Sequence, residues 1–522
     1  MTGLDWNTKQ MPKLETVRNK LKTIEELSEH AVQARARGQR VVLCHGVFDL
    51  LHMGHVRHLE SARREGDILL VTLTADKFVH KGPGRPIFGE QIRAEMLAAI
   101  QYVDGVAINY NATSEPVLEV VKPDIYVKGS DYENPEDDIS GNIVQEREIA
   151  EKFGGRLSFT RDVTYSSSTL INRHLNIYDP PLQDYLSRLR NESGLTSLLE
   201  LIERVKDYRV LLVGDAIIDE YQYVAPLGKS PKENMIATLF ESREIFAGGV
   251  FAAANHVASF CKEVEVLSVL GDDDDFHALV DESLKPNVKF KPLIRDNSPT
   301  TKKCRFVDNS MRKLFEVYSM NDRPVEPELR SRLEDVISER AGDFDLVIAT
   351  DFGHGMITGS TPKLLASNAK FFAVNAQSNS ANMGFNLVTR YPHADYICID
   401  APEARLAAGD KFAPLSDVAQ SFLSNQLNCA RIIITQGMNG CLTFEGGIGT
   451  RHIPVFTKTA IDTVGAGDAF LAVTSPLVAA GGSMEHVGFI GNAAGAMKVG
   501  IVGHRQSVEK VDLIKFVTAL LK

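Results

Sequence analysis

Cysteine is scarce and scattered: six residues in 522 stand singly, with no Cys-x-x-Cys pair and no His/Cys set at zinc-ligand spacing. This excludes a disulfide-stapled scaffold and a zinc ribbon, and predicts reduced, mostly buried thiols with no protein-built metal site. No apolar run reaches the roughly 18 to 20 residues that a membrane span needs. The opening stretch from Asp5 to Lys22 is polar and lacks the apolar segment of a secretory signal. Basic excess is missing as well. A formal net charge of −11 argues against a nucleic-acid surface while leaving room for local phosphate pockets. Low-complexity tracts and repeats of 20 to 50 residues are also absent. These absences leave an expected cytosolic multidomain protein and say nothing about its chemistry.

At this length more than one hydrophobic core is expected. Thr23 followed by Glu25, Glu26 and Leu27 predicts a capped amphipathic helix. Apolar strand-like runs follow at residues 40–44, 68–72, 105–109, 125–127 and 157–160, with helical stretches between them. That alternation predicts a parallel sheet covered on both faces. A break at Asp179-Pro180-Pro181 opens an expected linker over 179–200 between a domain at 1–178 and another at 201–522. The second domain alternates again, with strands at 209–213, 264–269, 346–349, 371–374, 397–399 and 431–435. Non-helical β-rich pieces at 236–241 and 302–318 interrupt it and suggest a separate small sheet, such as a lid.

The string His45-Gly-Val-Phe-Asp49-Leu-Leu-His52-Met-Gly54-His55 sits between a strand and a helix, where backbone N–H groups and the helix dipole attract phosphate. His52 and His55, three apart at a helix start, point the same way and can donate to a triphosphate. Gly54 allows close approach to the backbone. Gly46, Phe48, Asp49, His52, Gly54 and His55 match the G-x-F-D-x-x-H-x-G-H signature, so the region resembles the cytidylyltransferase-like nucleotidyltransferases. The likeness continues through Arg85-Pro86, Arg93, Val127-Lys128-Gly-Ser-Asp131-Tyr132 and Tyr165-Ser-Ser-Ser168-Thr169. It implies Lys128 and Arg93 as cationic partners of phosphate or base. It also implies Ser167, Ser168 and Thr169 as pocket lining at another helix start. Lys81 is a candidate for the acceptor phosphate, against the equally weighted reading of a solvated loop lysine. A phosphate monoester acceptor is already anionic, so no general base is needed for attack on the α-phosphate.

Asp462-Thr-Val-Gly465-Ala466-Gly467-Asp468 precedes an apolar helical stretch. Gly465, Ala466 and Gly467 can turn consecutive N–H groups on a developing phosphate charge, and Asp468 is placed to take a proton from an attacking hydroxyl. The string resembles the D-T-x-G-A-G-D signature of the ribokinase/PfkB sugar kinases. That likeness implies Asp219 as sugar ligand, Gly248-Gly249 as a hinge near the lid, Thr435 and Gly437 at the nucleotide site, and Asn492 beside the adenine. Gly228-Lys229-Ser230 imitates the end of a P-loop, but the glycine required five positions earlier is Tyr223, so a lid turn is the better reading.

Together the two halves resemble the bifunctional heptose-phosphate kinase/heptose-1-phosphate adenylyltransferases, with the domain order reversed. The fold class implied is α/β with two doubly wound parallel-sheet domains: a Rossmann-like nucleotidyltransferase and a ribokinase-like kinase with a small β lid. The resemblance implies magnesium and ATP, with ATP or CTP at the transferase, and a homodimer formed through paired lids. Departures mark the sugar pocket. Asn375-Ala376-Gln377 stands where that family has Asp-Pro-Lys, Val250-Phe251-Ala252 follows the hinge, and Glu316 puts an acid on the lid where a base would suit a phosphorylated sugar. With Asn375 in the pocket, the expected substrate is a related sugar or polyol. Two alternatives are a CTP-dependent polyol-phosphate cytidylyltransferase and a kinase-like half that only binds.

Overall fold

The computed structural model describes residues 17–133, 142–161, 167–175, 177–192, 194–272 and 276–522. Two compact units emerge: residues 1–179 together with 514–522, and residues 180–513.

The first unit is built on five parallel strands, β1 (Val41–Gly46), β2 (Ile68–Thr74), β3 (Gly105–Asn109), β4 (Ile125–Gly129) and β5 (Arg156–Thr160), in the order β3-β2-β1-β4-β5. Strands β1 and β2 are almost wholly buried, as near-continuous Val/Leu runs require when helices cover both faces. The predicted helix start is present: in Ile24–Ala36 Thr23 and Glu26 form a reciprocal capping box, and Leu27, Ala31 and Ala34 face the core. Connectivity reverses between β1 and β4. The crevice at their carboxyl ends is therefore where a ligand is expected in such a sheet.

The second unit carries β6 (Arg209–Gly214), β7 (Ala216–Lys229), β8 (Ile236–Gly249), β9 (Glu263–Leu267), β10 (Val269–Gly271), β11 (Val288–Phe290) and β12 (Leu293–Arg295). It continues with β13 (Lys302–Val307), β14 (Lys313–Ser319), β15 (Leu346–Asp351), β16 (Phe372–Ala376), β17 (Tyr396–Asp400), β18 (Arg431–Thr435), β19 (Cys441–Glu445) and β20 (Gly449–Ile453). Nine strands form the main sheet, β11-β9-β6-β15-β16-β17-β18-β19-β20, parallel as far as β18 and antiparallel over the last two pairings. A separate sheet, β14-β13-β7-β8, is the lid.

The lid is larger than the β-rich pieces suggested, because Ala216–Lys229 is also a strand and pairs antiparallel with Ile236–Gly249. Gly228 takes a left-handed turn (φ 111°) near the end of β7, so the P-loop look-alike is a lid turn. The stretch expected as a linker is helical. Pro180–Glu192 buries Leu182, Tyr185, Leu186 and Leu189, and Gly194–Glu203 buries Leu198, Leu201 and Ile202. Tyr185 stacks on Phe489, and Arg188 pairs with Glu485, so the segment packs within the second unit. All six cysteines are unpaired and five of them are buried. Among the described residues, no helix is long and apolar enough to cross a membrane.

Candidate active sites

In the first unit, β1 delivers the chain into the turn 46–52. Phe48 there holds a left-handed backbone (φ 50°) with its ring against Gly46, where an added Cβ would lie 3.2 Å from the ring. Asp49 is buried and spent on the turn: Arg85 Nη1 donates to it at 3.0 Å and the Ile87 N–H at 2.6 Å. His52 caps the helix Met53–Glu65, its Nδ1 accepting from the Gly54 N–H at 3.0 Å. This capping turns its ring onto His55, with centroids 4.1 Å apart. Burial lowers both imidazoles. His55 reaches about 3, with His52, His58 and Lys81 adding repulsion. The pair therefore meets a ligand as neutral rings that donate hydrogen bonds, and His55 Nδ1 is buried with no hydrogen-bond partner among the described residues.

These groups open on a cavity of about 570 Å³ that His55, Lys81, Lys128, Ser167 and Ser168 also line. Ser167 Oγ donates to the Leu50 carbonyl, and Arg85 reaches the Ser168 carbonyl, tying this helix start to the His52 turn. Thr169 follows in the same helix, while Tyr165 and Ser166 lie outside the described residues.

Two expected cations are placed otherwise than anticipated. Arg93 is fully buried and does not line the cavity. It donates to the carbonyls of Val47, Thr74 and Phe88 and pairs with Asp76, so it fastens the turn instead of meeting phosphate. Lys128 does line the cavity, but Glu146 holds its ammonium at 2.9 Å. Burial would lower the Lys128 ammonium, yet Tyr126, Glu146 and Tyr132 outweigh it and leave the group raised. Glu146, 18 residues further on in the helix Ile143–Lys152, carried no sequence signal.

In the second unit, Gly465 enters the helix Ala466–Ala479 in a left-handed conformation (φ 72°), and Asp468 stands in that helix's first turn, 8% exposed. Burial raises the Asp468 carboxyl above the usual range, with His504, Gln377 and Lys303 opposing and Asp219 adding to it. Gln377 Nε2 donates to Asp468 Oδ1 at 2.7 Å. Asn375 sits two residues earlier on β16. Its amide is turned to the Cys398 carbonyl at 2.7 Å, so Gln377, not Asn375, is the residue that meets the carboxylate.

The loop before Asp468 is pinned by Asp462. Burial would raise this carboxyl, but hydrogen bonds from Lys313, the Gly503 N–H, Tyr221 and the Val464 N–H bring it down to about 2. Asp219 is fixed by His504, whose Nε2 lies 3.0 Å from its Oδ2, and by Arg305. Burial would raise Asp219, and those two partners hold it well below the carboxylate range instead. Glu316 is accounted for as well: it binds Arg305 at 2.6 Å, so the unexpected acid is matched by a base on the neighbouring strand. Gly248 is required where it stands, because a Cβ there would fall 1.9 Å from Asp219 Oδ2, and at Gly465 a Cβ would meet His504 Cε1 at 2.7 Å. Gly249 (φ 55°) has its Cβ position 2.7 Å from the Asp215 carbonyl. Asp219, Gly248, His504, Gly465 and Asp468 thus converge.

Thr435 ends β18 and Gly437 follows in a left-handed turn (φ 54°). Asn492 gives its amide to the carbonyls of Ile453 and Pro454 at 3.2 and 3.0 Å. Sequence reasoning missed His504 and Arg305, and also Lys303, whose buried ammonium lies over the Tyr318 and Phe352 rings without a hydrogen bond or ion pair among the described residues. The available signal was Lys303 and Arg305 at strand spacing on one face of β13. His504 had none.

Comparison with known proteins adds to this geometry. The cytidylyltransferase-like family profile matches residues 43–173, and the pfkB family carbohydrate kinase profile matches 208–511. The chain is 38% identical over 164 residues to the bifunctional protein HldE of Syntrophotalea carbinolica, covering 31% of this chain and 32% of that one. It is 40% identical over 145 residues to HldE of Alcanivorax borkumensis, covering 27% and 29%. The chain therefore spans about a third of the length of these curated relatives. Among solved structures, Arabidopsis thaliana ribokinase with ribose and ATP aligns at TM-score 0.46 and 16% identity, covering 60% of this chain and 99% of that one. Escherichia coli phosphofructokinase-2 with potassium aligns at 0.48 and 15%, covering 60% and 100%. The kinase profile extends over more than half of the residues, so the chain belongs to the pfkB family of carbohydrate kinases, with a cytidylyltransferase-like region ahead of that half.

Proposed function

We propose that the chain is a bifunctional enzyme of nucleotide-sugar synthesis. The second unit phosphorylates a heptose-like sugar or sugar phosphate with ATP. The first unit transfers a nucleotidyl group from ATP or CTP to a sugar phosphate and releases pyrophosphate. The carrying observation is the meeting of a base and an anion hole: buried Asp468, its carboxyl raised, one residue beyond the Gly465–Gly467 turn and near the Asp219–His504 pair.

In the kinase reaction a sugar hydroxyl held by Asp219 attacks the γ-phosphorus of ATP. Its proton passes to Asp468, the bond to the β-phosphate oxygen breaks, and the N–H groups of residues 465–467 take up the developing charge. A carboxylate raised above its ordinary range is the better base for this purpose. In the transferase reaction an acceptor phosphate oxygen attacks the α-phosphorus in line and pyrophosphate departs, with His52 and His55 donating to it as neutral imidazoles. Magnesium would be held chiefly by the substrate phosphates, as this ion commonly is, and would supply charge neutralisation. In the kinase half Glu403 is raised to about 8 by burial and by Asp400, with the Asp468 charge adding to it. We take Asn492, Thr435 and Gly437 to border the adenine side, and the protein to act in the cytoplasm. The lid strands leave Leu227, Ile236, Leu239, Phe240, Phe315 and Val317 exposed, apolar surface suited to a second copy in a homodimer.

The test is a product assay with the full chain. ATP or CTP is supplied with a panel of heptoses, hexoses, their phosphates and polyol phosphates, and ADP and pyrophosphate are followed separately. Asp468→Asn is expected to lower ADP release at least a hundredfold and leave pyrophosphate release intact. Retained ADP release in that variant would leave the kinase assignment untenable.

A further inference from the structure

In the helix Lys510–Leu521 the residues from Ile514 onward belong to the first unit, and they lie beyond the kinase profile, which ends at residue 511. Asn172 fixes this segment by donating to the Ala519 carbonyl at 2.7 Å, and the same Asn172 accepts from Arg85 at 3.1 Å. Leu520 lies close over Gly82, 3.8 Å from where a Cβ would be. Residues 514–522 are thus seated on the loop that carries Lys81 and Arg85.

The spacing of the helix then sorts its residues. Leu513, Phe516, Val517 and Leu520 are buried apolar groups. Lys515, Thr518 and Lys522, at i, i+3 and i+7, fall on one face and line the 570 Å³ cavity together with Lys81, His55 and the His52 turn. Thr518 is 5% exposed, and its Oγ1 is buried with no hydrogen-bond partner among the described residues. A buried hydroxyl left unpaired is unfavourable, so its place on a cavity wall suits a group that pairs with a ligand.

The charge around Lys81 is one-sided. Burial lowers its ammonium to about 8, with Asp49 opposing and Arg85, Lys522 and Lys515 adding to the lowering. Asp49 is already bound to Arg85 and to the Ile87 N–H. Lys81 itself makes no hydrogen bond or ion pair among the described residues. Such a cluster is stable when an anion sits in it.

We propose that residues 514–522 complete a phosphate subsite of the transferase cavity, in which Lys515, Thr518 and Lys522 join Lys81 to hold the phosphate of the acceptor. This rests on the transferase reading above. A solvated basic face would account for two lysines on a helix, but not for the unpaired Thr518 hydroxyl between them. The terminal phosphate of the nucleotide has the same chemistry, and the assay separates the two.

The full-length double variant Lys515→Ala/Lys522→Ala, and Thr518→Val separately, are compared with wild type in two ways. Pyrophosphate release gives KM for acceptor and nucleotide, and calorimetric titration gives the affinity for inorganic phosphate. The double variant is expected to raise the acceptor KM about tenfold, far more than it lowers kcat, with the nucleotide KM unchanged and phosphate binding weakened about tenfold. Thr518→Val should raise the acceptor KM about threefold. Lys515→Arg/Lys522→Arg should restore the acceptor KM, which a merely structural role would not predict. Unchanged acceptor KM and phosphate affinity, an effect confined to the nucleotide KM, or no phosphate binding by the wild type overturns the subsite. If no acceptor supports pyrophosphate release, the transferase reading fails on its own, and the phosphate titration still decides whether residues 514–522 form an anion site.

Discussion

Replacing Gly248 by alanine isolates the steric logic of the kinase pocket. Gly248 lies in a strand, paired with Ile217, and its backbone is not in the left-handed region, so alanine fits the main chain. What it does not fit is Asp219. The new methyl would stand 1.9 Å from Oδ2, 2.9 Å from Cγ and 3.2 Å from His504 Nε2. Non-bonded heavy atoms need roughly 3.5 Å, so the carboxylate must retreat by about 1.5 Å. That breaks the 3.0 Å contact with His504 and misaligns Arg305. Breaking one partner out of a buried ion pair costs about 3 to 5 kcal/mol. Taking the lower figure for partial relaxation, kcat/KM should fall roughly 150-fold. The assay is ADP release at saturating ATP across sugar concentration, with pyrophosphate release as the internal control. Gly495→Ala is the matching control variant, because its Cβ would sit 3.8 Å from Phe470 in ordinary contact. A Gly248→Ala enzyme within threefold of wild type would refute the assignment of Asp219 as a rigid sugar ligand.

Arg93→Met should act on stability before it acts on rate. It strands the carbonyls of Val47, Thr74 and Phe88, a loss of about 3 kcal/mol or more. Denaturant unfolding should show it, and an unshifted midpoint with lost pyrophosphate release would instead restore Arg93 to the phosphate site. The first unit should also weaken in mild acid. His45 and His55 are each held by burial at about 3 in the folded chain, against about 6.5 when unfolded. Below pH 6.5 only the unfolded state takes up those protons, so stability falls as pH drops and is intact above that range. Between pH 7 and 5 the loss is at most about 2 kcal/mol for each ring, and about half that for partly exposed ones. Hydrogen exchange of peptides from residues 41–74 reads it, and protection unchanged from pH 7 to 5 would contradict the burial argument.

Local pattern carried the fold a long way. Alternating apolar strands and helices pointed to the two mainly parallel sheets, because a strand covered on both faces is apolar over most of its length, as the runs at β1, β2, β6 and β15 are. The motifs at residues 46–55 and 462–468 announced themselves because phosphate binding needs glycine, a helix start and a few fixed side chains within one turn of chain. The stretch 179–200 reads as a linker, since the buried Leu faces of the helices there are recognisable only once the surface they cover is known. Charge was the least legible quantity. Arg93 and Lys128 looked like free cations, and what neutralises or redirects them comes from distant positions: the carbonyls of Val47 and Thr74 for one, Glu146 for the other.

The sequence by itself determined where phosphate chemistry is to be sought, through short strings whose candidate residues stand in adjacent positions. Only the tertiary structure decided which charges remain available for it. His504 reaches Asp219 across 285 positions, and the lysines at 515 and 522 meet Lys81 from the opposite end of the chain. Coulomb and desolvation energies depend on distance in space and on burial, and neither is written in the order of residues.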